Sequence, residues 1–349
     1  MFKAHFKKHT LVFKKPGGTS RGILTTKDSW FIFLKNENQE TGIGECSIIK
    51  GLSIDDRPDF EIKLEEVCKN IENFQLYLDS GLNDFPAIRF GLEMALLDLK
   101  TGGNRVLFSS DFTSGKVGIP INGLIWMGSF LEMKEQIISK IEDGFRCLKL
   151  KIGAINFGEE IRLLKLIRKE FSSKELEIRV DANGAFRVNE ALEKLKILSK
   201  LEIHSIEQPI RAGQVEEMEK ICRLSPIPVA LDEELIGLKN TQQARQLLEE
   251  IEPQFVILKP SLLGGISKSE EIIKAAKKLK IGWWATSALE ANIGLNAIAQ
   301  WVFTLKNPMP QGLGTGQLFE NNIPSPLVIK NASLFHGSQN KWQLDLLNK

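Results

Sequence analysis

Residues 145–153 read FRCLKLKIG and residues 176–182 read LEIRVDA, two short apolar runs that carry charged residues near their ends. Three more runs of this kind follow: IHSIEQP (203–209), IPVALDEE (227–234) and FVILKPS (255–261). Apolar runs of this length, bounded by polar or turn residues, are typical of buried β-strands. These segments decide the fold, because an amphipathic segment of helical period separates each one from the next.

Strands and helices alternate in this way from about residue 117 onward. VGIPI (117–121) precedes the five runs, IGWWATS (281–287) follows them, and a weak eighth run, PQGLG (310–314), ends the series. Such alternation builds parallel sheets, and eight strands with seven helices predict an α/β fold, a (β/α)7β TIM-like barrel. An open doubly wound sheet is the alternative, but no GxGxxG follows any of these strands.

The N-terminal third of the chain has a different pattern. Apolar and polar residues alternate in residues 2–13, 22–25 and 29–35, with turns expected at PGG and at NENQETG. Two helical patterns follow, FEIKLEEVCKNI and PAIRFGLEMALLDLK. We therefore expect an α+β capping domain over residues 1–112 and a barrel domain over residues 113–349. The tail after about residue 317 is expected to pack back onto the first domain.

Charged residues stand at the end of each central strand: Lys149, Lys151, Asp181, Glu207, Asp232 and Lys259. From Lys151 onward the intervals are 30, 26, 25 and 27 residues, which is one strand–helix unit each time. Each of these charged motifs, taken alone, has an ordinary explanation, such as a solvated lysine pair, a helix cap or a turn. In a barrel, however, successive units place their strand ends on one rim, where the active sites of this fold lie.

The chemistry of these side chains predicts a metal-dependent enzyme. Asp181, Glu207 and Asp232 at close range would repel one another unless a hard cation held them, and Mg2+, with Mn2+ as a substitute, prefers such oxygen ligands. Lys149 and Lys151 are two residues apart on one strand and face the same side, so each disfavours the charge of the other. A lysine of lowered pKa beside a metal-bound carboxylate fits removal of the proton alpha to that carboxylate.

The composition narrows the class of partner and the compartment. The chain of 349 residues carries 46 basic and 44 acidic residues spread along its length, so we expect a small-molecule carboxylate substrate and no nucleic acid. The four cysteines are far apart without a CxxC spacing, which is typical of reduced thiols in a cytoplasmic protein. No signal-peptide core and no apolar run of roughly 20 residues is present, so no membrane partner is expected.

The motifs KLKIG, RVDANGAF, IEQP, VALDEE and VILKPSLLGG resemble those of the enolase superfamily, in its muconate-lactonizing subgroup. The resemblance implies that Lys151 is the general acid and base, that Lys149 lowers its pKa and that Lys259 lies opposite. It also implies the roles of two further sets: the metal ligands are Asp181, Glu207 and Asp232, and the residues that support them from behind are Asn183, Glu233 and Arg179. The mandelate-racemase branch is disfavoured because TSALEAN, after the seventh strand, has no histidine.

Within the subgroup the chain resembles the o-succinylbenzoate synthases of menaquinone biosynthesis. The matching stretches are PGGTSRG, PAIRFGLEMALLD, PINGLIWMG and TSALEANIGLNAIAQW. This resemblance implies a carbon–oxygen lyase that removes water, by syn elimination, from 2-succinyl-6-hydroxy-2,4-cyclohexadiene-1-carboxylate. One lysine then serves as base and as acid to the leaving hydroxide, while the opposite lysine stabilises the enediolate.

Other members of the subgroup share the same lysines and remain alternatives. A dipeptide epimerase typically carries Asp-x-Asp at the eighth strand, where this chain has Gly314, Thr315 and Gly316. N-acylamino-acid racemases and muconate cycloisomerases are excluded only by the wider resemblance. A non-catalytic binding barrel would have lost lysines or metal ligands, and none is lost.

Several residues are predicted to contact the substrate. Arg21 follows PGG in the first domain, where a mobile turn could bring cations to a dicarboxylate as a lid closes, although a plain hairpin fits the same pattern. Four residues near the ends of the sixth and seventh strands are expected to line the pocket: Ser261, Gly264, Ser287 and Glu290.

Overall fold

The computed structural model describes residues 1–19, 22–153, 156–337 and 339–348. The chain begins with an antiparallel three-stranded sheet in the order β1–β2–β3. Its strands are β1 (Lys3–Thr19), β2 (Gly22–Lys35) and β3 (Thr41–Ser47). The turn predicted at PGG is wrong, because this segment lies inside β1, where the pairing with β2 shifts register between Val12 and Gly17.

Helices cover one face of this first sheet. They are α1 (Phe60–Lys69), the short α2 (Phe74–Leu76) and α3 (Pro86–Lys100). Helix α3 packs closely on β3, because a Cβ on Gly44 would collide with the carbonyl oxygen of Gly91. Trp30, Ile32 and Leu34 of β2 contribute to a separate core beneath these helices. Glycines on both elements thus let helix and strand approach closely enough to close this core.

A seven-stranded parallel sheet forms the second part of the chain. Its strands, in spatial order, are β5 (Gly123–Ile125), β6 (Cys147–Lys151), β7 (Glu177–Asp181), β8 (Ser205–Glu207), β9 (Val229–Leu231), β10 (Phe255–Leu258) and β11 (Gly282–Ala285). The helices between and after them are α4 (Phe130–Glu142), α5 (Phe157–Glu170), α6 (Val188–Ser199), α7 (Val215–Leu224), α8 (Thr241–Ile251), α9 (Pro260–Leu263), α10 (Ile266–Lys278) and α11 (Asn292–Thr304). This regular alternation follows the apolar and amphipathic segments of the sequence.

The two edges of this curled sheet meet one short segment. Gln311 forms a parallel bridge with Ile121, before β5, and Gly312 forms one with Thr286, after β11. Gln311 N donates to Pro120 O at 2.9 Å, and Gly312 N donates to Ala285 O at 2.8 Å. The weak eighth run of the sequence therefore lies between the first and last strands.

The first strand of the parallel sheet starts later than predicted. VGIPI was expected to supply it, but the strand β4 (Ile119–Pro120) pairs instead with β13 (Ser333–His336), which is itself paired with β12 (Leu327–Lys330). Pro120 has no N–H to donate to a neighbouring strand, which makes it a poor member of a central ladder. The parallel ladder with β6 begins at Gly123, which pairs with Leu148.

The C-terminal part of the chain contacts the first sheet. Phe319 bridges Phe13 of β1, and Glu320 N donates to Val12 O at 2.9 Å. The chain then forms β12 and β13 and, near its end, α12 (Asp345–Asn348). Among the described residues, no helix combines the length and apolar character that crossing a membrane requires.

Candidate active site

Strand register brings the charged residues side by side. Across the β6–β7 ladder Lys151 pairs with Asp181, and across β7–β8 Asp181 pairs with Glu207. Asp232 directly follows β9, and Lys259 directly follows β10. Because parallel strands end on the same rim, all of these side chains meet at the carboxyl end of the sheet, as the spacing of the sequence predicts.

The lysine pair of β6 contacts the acidic residues of the next two strands. Lys149 Nζ lies 2.8 Å from Asp181 Oδ2 and 2.5 Å from Glu207 Oε2, while Lys151 Nζ lies 2.6 Å from Asp181 Oδ2. Burial lowers the pKa of Lys151; Asp181 opposes this shift, and the charges of Lys149 and Lys259 add to it. Burial also disfavours the charge of Lys149, but its two carboxylate neighbours outweigh burial and raise its pKa. Lys151 is therefore the lysine of this pair that loses its proton more readily.

Lys259 lies across the site from β6. Its Nζ forms a short ion pair with Asp232 Oδ2 and lies 3.8 Å from Glu207 Oε1. Burial disfavours its charge, but the carboxylates, led by Asp232, more than offset burial and raise its pKa. Lys151 and Lys259 thus have pKa values shifted in opposite directions, which gives the two lysines different chemical characters.

The three carboxylates are deeply buried. Asp181 is 0% exposed, and Glu207 and Asp232 are each 2% exposed. Burial and the neighbouring charge of Asp181 raise the pKa of Glu207 to about 8 against the opposing pull of Lys149 and Lys259. Burial also acts to raise the pKa of Asp181, but the charges of Lys149, Lys151 and Lys259 outweigh burial and hold this pKa well below its usual range. The carboxylates contact ammonium groups here, and within the described ranges no three acidic, histidine or cysteine side chains converge as a metal-binding group.

Asn183 links Lys151 to Glu233. Lys151 Nζ donates to Asn183 Oδ1 at 2.7 Å, Asn183 N donates to Asp181 Oδ1 at 2.9 Å, and Asn183 Nδ2 donates to Glu233 Oε1 at 3.0 Å. Asn183 reaches these partners with a positive φ of 44°, a conformation that asparagine tolerates better than most residues. The structure therefore places Asn183 and Glu233 beside the charged residues of the site.

Arg179 lies away from the predicted ligands. Its Nε donates to Glu177 Oε1 at 2.7 Å, its Nη1 donates to Pro310 O at 2.9 Å, and its guanidinium lies 4.2 Å from the centre of the Trp284 ring. Arg179 precedes Asp181 by two residues on β7, so it faces the same side one layer closer to the amino end of the strands. Its expected role behind the metal ligands is corrected to a contact in the sheet interior.

Gln208 is a site residue that the motif IEQP contained without an assigned role. Gln208 Oε1 accepts hydrogen bonds from Asp232 N at 3.2 Å and Glu234 N at 3.3 Å, and Gln208 Nε2 donates to Glu234 Oε2 at 3.0 Å. Like Asn183, Gln208 has a positive φ, of 41°. The signal available in the sequence was its position directly after Glu207. Gln208 ties the end of β8 to the loop that carries Asp232.

A cavity of about 370 Å³ opens above these charges, between the first sheet and the rim of the parallel sheet. The first part of the chain contributes Gly22, Ile23, Leu24, Ile49, Lys50 and Leu52, and the second part contributes Asn122, Leu124, Trp126, Lys149, Lys151, Asn183, Lys259, Thr286, Ser287, Leu289, Gly312, Gly314 and Thr315. Most of the wall is apolar; Lys149, Lys151 and Lys259 lie at the base, and Lys50 adds a cation from the first part of the chain. The shape suits an organic anion with an apolar body.

Only one of the described residues predicted to contact the substrate lines this cavity. Ser287 does so, whereas Ser261 and Glu290 are each 0% exposed and lie behind the wall. Gly264 is directed toward the first domain, where its carbonyl oxygen accepts a short hydrogen bond from Arg89 Nη1. The α9 turn after Lys259 carries Ser261 and Gly264 away from the cavity, which the sequence pattern did not reveal. Arg21 lies outside the described residues.

A family model described as "Enolase C-terminal domain-like" matches residues 132–335, more than half of the chain and all of the charged site. The chain belongs to the enolase C-terminal domain-like family. An o-succinylbenzoate synthase from Desulfotalea psychrophila is 47% identical, and the match covers 94% of this chain and 97% of that protein. The sequence-based resemblance to the enolase superfamily and to o-succinylbenzoate synthases is confirmed.

Two solved structures have the same architecture. The crystal structure of MenC from Desulfotalea psychrophila superposes with a TM-score of 0.85 at 44% identity, covering 96% of this chain and 99% of that chain. Muconate lactonizing enzyme from Pseudomonas fluorescens superposes with a TM-score of 0.84 at 21% identity, covering 99% of this chain and 98% of that chain, which supports the fold alone. The α/β class predicted from the sequence is thus confirmed, as an enolase-type fold with a curled parallel sheet and a separate antiparallel sheet.

Proposed function

We propose that this chain is an o-succinylbenzoate synthase, which removes water from 2-succinyl-6-hydroxy-2,4-cyclohexadiene-1-carboxylate to form o-succinylbenzoate in menaquinone biosynthesis. The observation that carries the proposal is the near-complete match to the synthase from Desulfotalea psychrophila, at 47% identity. The cavity between the two sheets, apolar in its walls and cationic at its base, supports a substrate with a ring and carboxylates.

Asp181, Glu207 and Asp232 fit a divalent cation by the chemistry of their donors. All three supply hard carboxylate oxygens, the ligand type that Mg2+ prefers, and neither oxygen of the buried Glu207 accepts a hydrogen bond of ordinary geometry from a described residue. Mg2+, or Mn2+ in its place, would be held by these carboxylates and would stabilise the negative charge that develops on the substrate carboxylate. Asn183, Glu233 and Gln208 would hold the surrounding loops in place.

Lys151 carries the proton chemistry in this proposal. In its neutral form, Lys151 Nζ takes the proton alpha to the substrate carboxylate; the C–O bond then breaks and the departing hydroxide receives that proton as water. The lowered pKa of Lys151 supports this role. Lys259, whose pKa is raised, stays charged and stabilises the anionic intermediate without exchanging protons.

The identity and coverage of the match to the synthase favour dehydration over the principal alternative, a dipeptide epimerase. An epimerase moves protons on both faces of its substrate and therefore needs two lysines that can each lose a proton. An L-Ala-D/L-Glu epimerase from Francisella tularensis subsp. novicida is 27% identical over 62% of this chain. The uncharged Gly314, Thr315 and Gly316 at the eighth strand also disfavour binding of a dipeptide ammonium group.

The architecture that we propose is a closed (β/α)7β barrel, residues 113–349, with a capping domain over residues 1–112. The bridges of Gln311 and Gly312 to opposite edges of the parallel sheet support closure. The cavity lined by both parts supports the capping role of the first domain. We place the protein in the cytoplasm, which the four free, buried cysteines support.

A direct assay separates these functions. Purified protein with Mg2+ is incubated with the cyclohexadiene substrate, with a panel of dipeptides and with N-acylamino acids, the last two in deuterated water. We expect o-succinylbenzoate to form and no rapid deuterium incorporation into the dipeptides. Rapid exchange in dipeptides or N-acylamino acids without dehydration would contradict the synthase proposal and leave the family membership intact.

A further inference from the structure

Glu290 is a buried carboxylate that the proposed mechanism does not use. It is 0% exposed and lies between β11 and α11, behind the wall of the cavity. Its Oε1 accepts a hydrogen bond from Ser261 Oγ at 2.5 Å, and its Oε2 accepts one from Ser287 Oγ at 2.5 Å. A carboxylate buried at this depth is retained only where hydrogen bonds and nearby charge satisfy it.

The hydrogen bonds of Ser287 have a definite direction. Its single hydroxyl proton is donated to Glu290, and its oxygen accepts from Thr315 Oγ1 at 2.7 Å and from Glu290 N at 3.3 Å. A hydroxyl group has one proton and two lone pairs, so these three contacts use all of its capacity. Thr315 lines the cavity and has already donated its own proton to Ser287. Thr315 therefore has only acceptor capacity left for a bound molecule.

The first domain supplies the compensating charge. Lys27 of β2 is 6% exposed and donates to Ser29 Oγ at 2.9 Å, and Ser29 Oγ donates to Glu45 Oε1 at 2.7 Å. Burial lowers the pKa of Lys27, and the nearby charges of Glu45 and then Glu290 oppose that shift. The positive charge of Lys27 thus lies near Glu290 in the interior, where it partly compensates the charge of that carboxylate.

We propose that Glu290 is a positioning residue that acts through Ser287 to make Thr315 a hydrogen-bond acceptor at the cavity wall. At this point the cavity selects a hydrogen-bond donor, either the hydroxyl group of the substrate or a water, and disfavours a carboxylate. This inference rests on the proposed function, whose substrate carries one hydroxyl group and two carboxylates. Both carboxylates then bind elsewhere in the cavity.

A double-mutant cycle between Glu290→Gln and Thr315→Val tests this inference. Glutamine replaces one carboxylate oxygen with an N–H donor, so one serine proton loses its acceptor. The hydrogen bonds that join Glu290, Ser287 and Thr315 can then reverse their direction, so that Ser287 donates to Thr315. Each single change is expected to lower kcat/KM for the cyclohexadiene substrate about tenfold, mainly by raising KM. A change of about tenfold is what the loss of one hydrogen bond would produce. The double variant is expected to lose no more than either single variant.

The inference is overturned if the losses in kcat/KM multiply in the double variant, or if the losses fall on kcat alone. A Glu290 with a merely structural role would not be coupled to the Thr315 hydroxyl. Thr304→Val is the matched control, since Thr304 Oγ1 donates to Trp301 O within α11 and Thr304 is not among the described residues that line the cavity. If the Glu290→Gln variant does not fold, Ser287→Ala replaces it in the same cycle. That change removes the hydroxyl that connects Glu290 to Thr315. A wild-type protein that shows no dehydration overturns the proposed function, whereas active wild type with uncoupled variants overturns this inference alone.

Discussion

Glu45, on the first sheet, holds the amino end of the helix that begins at Asn292 in the second part of the chain. Its Oε1 accepts from Ala291 N at 2.7 Å and its Oε2 accepts from Gly294 N at 2.8 Å. One buried carboxylate thus satisfies two backbone donors that the first turn of a helix leaves unpaired, and it favours the positive end of the helix dipole. The contact joins the two parts of the chain close to Glu290 and Ser287.

Glu45→Ala is therefore expected to destabilise the protein by about 2–3 kcal/mol, because charged hydrogen bonds are lost and Lys27 is left with less compensating charge. The free energy of unfolding is measured by urea denaturation. The exposed Glu320→Ala is the control and is expected to change it by less than about 0.5 kcal/mol. Equal stability of the two variants would show that the Glu45 contact contributes nothing.

Replacing Asp181 or Asp232 by Asn, or Glu207 by Gln, is expected to weaken Mg2+ binding and to abolish turnover. Each change removes a charged oxygen donor from a set of three, and neutral amides are poor substitutes for Mg2+. Calorimetric titration with Mg2+ measures the binding, and activity before and after chelation measures the dependence. Full activity after exhaustive chelation would falsify the metal proposal for all three residues.

Lys151→Ala is expected to lower kcat by ~10²- to 10⁴-fold or more, because it removes the group that both takes and returns the proton. Lys259→Arg keeps the positive charge and is expected to retain some dehydration, since Lys259 acts only through its charge. Single-turnover kinetics with the cyclohexadiene substrate compares the two. The proposed division of roles is contradicted if Lys151→Ala retains more activity than Lys259→Arg.

Asp55 predicts a pH dependence of stability. Its carboxylate accepts from Ala87 N at 2.7 Å, but burial dominates and raises its pKa to about 7. Since the pKa is higher in the folded state than in the unfolded state, the contribution of Asp55 to stability is fully present below about pH 4 and is lost as the pH rises through about 7.

Asp55→Asn is expected to flatten this part of the stability profile between pH 5 and pH 8. Urea denaturation at the two pH values measures the difference in the free energy of unfolding. The neighbouring exposed Asp56→Asn is the control and is expected to keep the wild-type slope. An unchanged slope in the Asp55 variant would assign the pH dependence to other groups.

The candidate site could be predicted from the sequence because its residues stand at strand ends. Lys151, Asp181 and Glu207 are separated by whole strand–helix units, and parallel strands in register convert that spacing into contact. The pocket residues could not be predicted in the same way. Ser261 and Glu290 lie beside strand ends in the sequence, yet the α9 turn and the loop after β11 bury both behind the wall.

What the sequence determined by itself was the alternation of strands and helices and the ring of charges at one rim, because both follow from periodicity along the chain. Tertiary structure alone decided how the pKa values of these charged residues differ. The pKa of Lys151 is lowered while that of Lys259 is raised, although both are buried lysines beside an aspartate. The physical reason is the number and sign of the charges around each ammonium group, which several strands contribute and which only their packing brings together.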